Sequence, residues 1–299
     1  MTSPSTPPRL KDRLLDPTPL LAVELRPPRR SLSGDQAMDA WIDVYHAVQR
    51  LSKSDTLVFL TDNAVGTGEE ENLNHLIQNL GPDAVRERMV PFLTLKHSLD
   101  YCRRYAERAR RERFPGLVVL GGDAHDGIAR CLDHAWQLRE IVRQAHPSLV
   151  LGGWVNPHRD AERQVGYLLE HRDSLDFALT QVVSHHNLPG LDLFLNQAAK
   201  QGLSLPLIAG VFYYRSARPR TLQTLAQFIP VPAAALTADF AERGLTPAQI
   251  AAATVRALAD RGVGRVYVSN LDTSLAPQQL SQIATLAGLP DPVGPRSKR

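Results

Sequence analysis

The chain has 299 residues, 43% of them apolar, 22% charged and 6% aromatic, with a formal net charge of +3 at pH 7. This composition supports a large buried core and excludes wholesale disorder, and the near balance of charge excludes a dedicated nucleic-acid binder. Cys102 and Cys131 are its two cysteines, too few for a disulfide scaffold or a multi-cysteine zinc or iron–sulfur set.

Short runs rich in Leu and Val alternate with segments of helical period from residue 20 nearly to the end, as in strands buried on both faces. Leu20 to Leu25 reads as the first strand. A helix predicted over Gly34 to Leu51 carries Trp41, Val44, Tyr45, Val48 and Leu51 on one face, and the next strand is read at Leu57 to Thr61. A helix is predicted from Glu69 to Leu80, stopped by Gly81-Pro82. The alternation continues with a strand at Met89 to Leu95, a helix at Tyr101 to Arg113, a strand at Leu117 to Leu120, a helix at Gly127 to Ala145 and a strand at Leu149 to Gly153.

Further helices are predicted at Asp160 to Arg172, Gly190 to Gln201, Leu222 to Phe228, Thr246 to Arg261 and Pro277 to Ala287, with strands at Leu175 to Gln181, Pro206 to Val211 and Val266 to Ser269. Thr246-Pro247 has the form of an N-cap and first helical residue. Eight strand–helix units without a hairpin signal fit an α/β fold of one kind, a single (β/α)8 TIM barrel over residues 18–289. Pro230 to Leu245 forms an extra connection, and the Pro-rich ends 1–17 and 290–299 are expected to be flexible tails. Nothing approaches the roughly 18 apolar residues of a membrane span, and the first twenty residues hold no apolar leader segment, so a cytoplasmic protein is expected.

In such a barrel, function gathers where the carboxyl ends of the strands open onto one mouth. The polar residues at those ends are Glu24, Thr61, Asp62, Asn63, Thr94, Asp123, Trp154, Asn156, His158, Thr180, Gln181, Tyr213, Tyr214, Asn270 and Asp272. Glu24 interrupts the apolar strand LLAVEL, where desolvation raises a carboxyl pKa toward general-acid usefulness; an ion pair with Arg26 is the plainer reading. Asp123 is equally readable as the N-cap of the following helix. No strand is followed by GxGxxG, Gly66-Thr67-Gly68 lacks the lysine of a phosphate loop, and no GxSxG marks a hydrolase nucleophile.

The order of several short motifs says more. Ala22 to Arg29 (AVELRPPR) resembles the first strand of methylenetetrahydrofolate reductases, an acidic residue followed by a double proline and a basic residue. Pro91-Phe92-Leu93-Thr94 is similar to that family's proline–histidine–leucine–threonine, Gly122-Asp123 to its arginine–glycine–aspartate, and Ala178-Leu179-Thr180-Gln181 to its threonine–glutamine. Leu205 to Val211 and Gly262 to Tyr267 resemble the approaches to its last two strands, so the likeness spans about residues 20–288.

The resemblance implies an oxidoreductase that reduces 5,10-methylenetetrahydrofolate to 5-methyltetrahydrofolate, with hydride from NAD(P)H carried by FAD. It makes Glu24 the general acid, Gln181 the residue that holds the pterin and Asp123 a charge between pterin and flavin. Thr61, Gly122, Trp154 and His158 become flavin contacts.

The chain departs from the family where Phe92 replaces histidine and Gly121 replaces arginine. Tyr167 to Leu179 is short and lacks a lysine, with Arg163 and Arg172 as substitutes, and Leu271 or Asp272 stands where an arginine meets the folate's glutamate tail. These departures leave open a flavin-free reductase of the same barrel type, a repurposed pterin-binding module, or an accessory subunit of a folate-dependent methyl transfer. The expected partners are a reduced folate and a nicotinamide nucleotide, with a second copy or another subunit also possible.

Cys131 and His134, one turn apart on a predicted helix, and the adjacent His185-His186 have metal-ligand chemistry, but nothing in the sequence makes their loops converge, so no metal ion is expected. The arginines between Arg103 and Arg113 read as a solvated helix face, with Cys102 inert among them.

Overall fold

The computed structural model describes residues 9–28, 32–54, 56–61, 77–78, 80, 85–122 and 129–294. Eight parallel strands close in sequence order: β1 (Leu20–Leu25), β2 (Val58–Leu60), β3 (Met89–Thr94), β4 (Gly116–Leu120), β5 (Val150–Val155), β6 (Phe177–Val183), β7 (Leu207–Phe212) and β8 (Arg265–Ser269). β8 returns to β1 in the register Ala22 to Tyr267. The chain is a single (β/α)8 barrel.

The described helices are α1 (Leu10–Leu15), α2 (Gly34–Lys53), α3 (Leu99–Arg111), α4 (Ala135–Ala145), α5 (Ala161–Glu170), α6 (Pro189–Lys200), α7 (Pro219–Leu225), α8 (Ala233–Ala241), α9 (Pro247–Ala259) and α10 (Ala276–Ala287). Thr246 caps α9 as its residue type predicts, accepting from the Gln249 backbone N–H while Gln249 Oε1 accepts from the Thr246 N–H. The extra connection before α9 holds α8. The helix predicted at Glu69 to Leu80 falls largely outside the described residues.

Successive strand residues face opposite sides, and the two sides are filled differently. Leu20, Ala22, Phe59, Val90, Phe92, Val118, Phe177, Leu179, Ile208 and Tyr267 pack together inside the barrel. Leu21, Val23, Val58, Leu93, Val119, Leu151, Ala209 and Val268, of the other parity, pack with the helices. Phe92 is therefore an interior filler, 5% exposed, with its ring 6.2 Å from that of Phe59.

One close approach fixes the upper interior. A Cβ on Gly210 would lie 2.6 Å from the Tyr267 hydroxyl, so only glycine leaves room for that ring. Gly210→Ala is expected to cost about 1–3 kcal/mol through overpacking, seen as a lower urea midpoint; a wild-type midpoint would show that the ring can move aside.

The structure departs from four expectations. Residues 10–15, expected in a flexible tail, form α1, because Leu10 and Leu14 are one helical turn apart and bury in the barrel cluster. The helix predicted from Gly127 starts at Ala135: His134 is an extended N-cap whose backbone N–H donates to Gln137 Oε1 at 2.9 Å. Cys131 and His134, expected one turn apart on a helix, thus lie ahead of it, Cys131 on a bend with its N–H tied to the Leu95 carbonyl and His134 as the extended N-cap. At the other end, the Pro292 carbonyl accepts from Thr56 Oγ1 and Val293 packs on the core, so residues 290–294 follow the barrel surface.

Candidate active site at the barrel mouth

Extending the inward parity to the carboxyl ends brings Glu24, Thr61, Thr94, Gly122 and Trp154 onto the mouth. Glu24 follows Leu20 and Ala22 on β1, and its side chain is 10% exposed. Burial lifts its carboxyl above the usual range, and the Arg26 guanidinium, 3.9 Å away and mostly exposed, draws it partly back. The ion pair with Arg26 exists, but it is long, and desolvation outweighs it.

Tyr267 lies beneath this carboxylate. Its fully buried phenol is pushed far above its ordinary range, by burial first and by the Glu24 charge second. The same hydroxyl donates to the Thr180 carbonyl at 2.9 Å. Tyr267 therefore neighbours both the β1 acid and the end of β6, which puts Glu24 and Gln181 at the same end of the barrel.

Gln181 sits on an irregularity that the sequence does not disclose. Between the pairs Leu179–Ile208 and Val182–Gly210, β6 has one residue more than β7, so the Thr180-Gln181 segment bulges. Thr180 Oγ1 holds the bulge by accepting from Gly210 N–H at 3.0 Å and donating to the Gln181 carbonyl at 2.8 Å. The Gln181 amide accepts from Val182 N–H at 2.9 Å and reaches the Phe228 carbonyl with Nε2 at 3.5 Å. One amide N–H and one oxygen lone pair are left for a ligand.

Thr61 Oγ1 points to the Leu25 carbonyl at 3.5 Å, next to Glu24 in the chain. Trp154 presents an aromatic face, 36% exposed. His158 turns elsewhere: its Nε2 lies 2.9 Å from the Val182 carbonyl, and it lines a cavity of about 150 Å³ with Ser184, Asn187, Pro230, Val231 and Pro232. Asp123, and with it Asp62 and Asn63, lies outside the described residues.

Gly121 and Gly122 are covered from another part of the chain. The Arg130 guanidinium carbon lies 3.3 Å from where a Gly121 Cβ would be, and Nη2 donates to the Gly122 carbonyl at 2.9 Å. Gly122 has φ +77°, and Lys96 Cγ comes within 2.6 Å of its Cβ position. Two cations thus cross the glycine pair at the end of β4. Similarly, Arg215, from the β7 loop, donates to the carbonyls of Asn270 and Leu271 and stands 3.6 Å from Asp272. A guanidinium therefore covers the β8 loop.

Further round the mouth, His185, His186 and Asp239 each offer a ligand atom within 4.8 Å of the others. Sequence reading kept the two histidines apart from any partner because Asp239 arrives on α8, beyond β7 and α7. His185 is pushed down to about 4 by burial, with lesser contributions from His186, Arg243 and Arg256 that outweigh Asp239.

No protein-family model and no curated protein matches this sequence. Among solved structures, a protein from Clostridium thermocellum that binds two copies of 5-methyl-5,6,7,8-tetrahydrofolic acid is similar at TM-score 0.67 and 15% identity, over 93% of this chain and 99% of that one. An aldo-keto reductase of the silkworm Bombyx mori is 14% identical at TM-score 0.46, covering 91% of this chain and 84% of its own. Fold and mouth together define a (β/α)8 barrel with a buried acid at its opening. No described helix is long and apolar enough to cross a membrane.

Proposed function

We propose that this barrel binds a reduced folate and reduces 5,10-methylenetetrahydrofolate to 5-methyltetrahydrofolate with hydride from NAD(P)H. The observation that carries the reading is the buried Glu24, whose carboxyl burial lifts above its usual range, at the same barrel end as the Gln181 amide, linked through Tyr267. The similar fold of a protein that binds a methylated tetrahydrofolate supports the choice of ligand.

The substrate must open its five-membered ring to a cationic iminium before hydride can add. A neutral carboxyl can donate the proton that the departing nitrogen needs, and burial keeps Glu24 in that form nearer to neutrality than a surface carboxyl. Gln181 has donor and acceptor capacity to pair with the amide-like edge of a pterin, and its bulge fixes where that pairing occurs. Asp123 would favour the iminium by its charge. Arg215 is the cation suited to the folate's carboxylate tail.

FAD is the cofactor of this reading, held by Thr61 and Trp154 as the sequence implies and by two cations that the sequence does not single out. Lys96 and Arg130 bring cations across Gly121-Gly122, where a phosphate-bearing group needs them, and Thr61 and Trp154 offer a hydroxyl and an aromatic face. When bound, the flavin supplies a two-electron carrier between nicotinamide and folate. His158, held by the Val182 carbonyl, lines a separate cavity and is left out of this flavin site.

The test is an anaerobic assay of the purified chain with methylenetetrahydrofolate and NADH or NADPH, with and without added FAD. Nicotinamide oxidation that requires both folate and FAD is the expected result. Oxidation that needs folate alone transfers the reading to a flavin-free reductase. Folate binding without turnover reduces it to a binding module, and absence of folate binding ends it.

A further inference from the structure

We propose that His185, His186 and Asp239 form a three-ligand site for a divalent cation of the zinc class at the rim of the barrel, on the carboxyl side of β6. One ligand atom from each residue lies within 4.8 Å of the others. The two rings, centroids 3.8 Å apart, belong to consecutive residues of a tight turn closed by the bridge between Ser184 and Asn187. Adjacent histidines on an extended strand would point to opposite faces; this turn brings them to one side.

The surroundings order the ligands as a metal site requires. His185 Nδ1 lies 2.9 Å from Thr254 Oγ1 on α9, and the threonine hydroxyl can donate onward to the Ile250 carbonyl at 3.4 Å. In the tautomer that donates from Nδ1 to this hydroxyl, the ring keeps its Nε2 lone pair for a cation. His186 Nε2 is 2.8 Å from Asp239 Oδ2, so these two atoms share a proton that a cation would replace between the same nitrogen and oxygen. Asp239 is fully buried, and its Oδ1 forms no aligned hydrogen bond although Arg243 Nη1 approaches to 3.1 Å.

A buried carboxylate with an oxygen in that state, beside two imidazoles, is a nitrogen–oxygen set suited to zinc or cobalt and too poor in oxygens for calcium. Three protein ligands leave a fourth position to water. Arg243 is the competing cation, and because its guanidinium is 57% exposed it can leave Asp239 for solvent when the ion enters. The site shares the β6 loop with the 150 Å³ cavity bounded by Ser184 and Asn187, although it is separate from Glu24 and Tyr267.

The experiment is titration of the untagged, chelator-treated full chain with cobalt(II) and with zinc. One equivalent of cobalt with the visible absorption of a four- or five-coordinate site, displaced by one equivalent of zinc, is expected. His185→Ala and His186→Ala should each abolish that spectrum, and Thr254→Val should weaken affinity by about 10–100-fold with the fold retained by circular dichroism. A Cys131→Ser, His134→Ala double variant serves as a control and should bind like the wild type. Absence of uptake by the wild-type chain overturns the proposal outright, as does uptake that survives both histidine substitutions. Thr254→Val leaves all three proposed ligands in place, so a wild-type affinity in that variant removes the ordered-ligand argument even if His186→Ala unfolds.

Discussion

Glu24→Gln is expected to lower kcat for methylenetetrahydrofolate reduction by about 10²–10⁴-fold, the usual worth of a positioned general acid. The substitution keeps shape and hydrogen-bonding reach but removes the transferable proton. In the wild type, kcat/KM should fall as pH rises through the lifted pKa of Glu24, because only the neutral carboxyl can donate. The residual rate of the variant should lack that limb.

The substitution should raise stability while it lowers activity, and the sign follows from the same shift. A carboxyl whose folded pKa is raised holds more protons in the folded state than in the unfolded one between the two pKa values. Raising pH through that window, upward from the model-peptide value of about 4.5, therefore costs the wild type stability, which then stays lost at higher pH. Glu24→Gln has no such dependence and should unfold at higher temperature than the wild type above the window. A variant with undiminished turnover removes Glu24 from proton transfer, and one with a wild-type stability-versus-pH profile removes the burial argument.

The strands were legible in the sequence because both of their faces are buried, and Leu and Val runs such as Leu117 to Leu120 have no other use at that length. Glu24 and Trp154 are assigned to the mouth by their places at the carboxyl ends of strands, and the inward parity of β1 and β5 agrees. What was not legible depends on contacts distant in the chain. The bulge at Thr180-Gln181 depends on the Gly210 N–H, the Arg130 guanidinium reaches back nine residues to Gly121, and Asp239 meets His186 across β7 and α7. No local pattern encodes these. The early start assigned to α4 has a local cause: Gly127 to His134 carries helix-compatible residues, and the competing signal was a histidine acting as N-cap three residues before Gln137.

Removal of residues 1–15 should destabilise the barrel by about 3–6 kcal/mol, the combined worth of two fully buried leucines. Leu10 and Leu14 are 3% and 1% exposed and pack in the same cluster as Leu20, Phe177, Ile208 and Tyr267. They lie at the amino-terminal end of the strands: Arg265, which opens β8, donates to the Asp16 carbonyl, and Arg13 donates to the carbonyls of Thr18 and Pro19 just before β1. A barrel whose strands all run one way has an uncovered apolar floor at this end, and a single helical turn with leucines at i and i+4 covers it. Part of the loss is returned, because Arg13 repels Arg88 and Arg265, whose proton affinities are lowered by burial and by this neighbour. The expected observation is a lower urea midpoint with unchanged kcat per folded molecule, since the mouth is at the opposite end. A truncated chain with the wild-type midpoint would show that α1 rests on the floor without sealing it, and a loss of kcat at full folding would tie that floor to the geometry of Glu24.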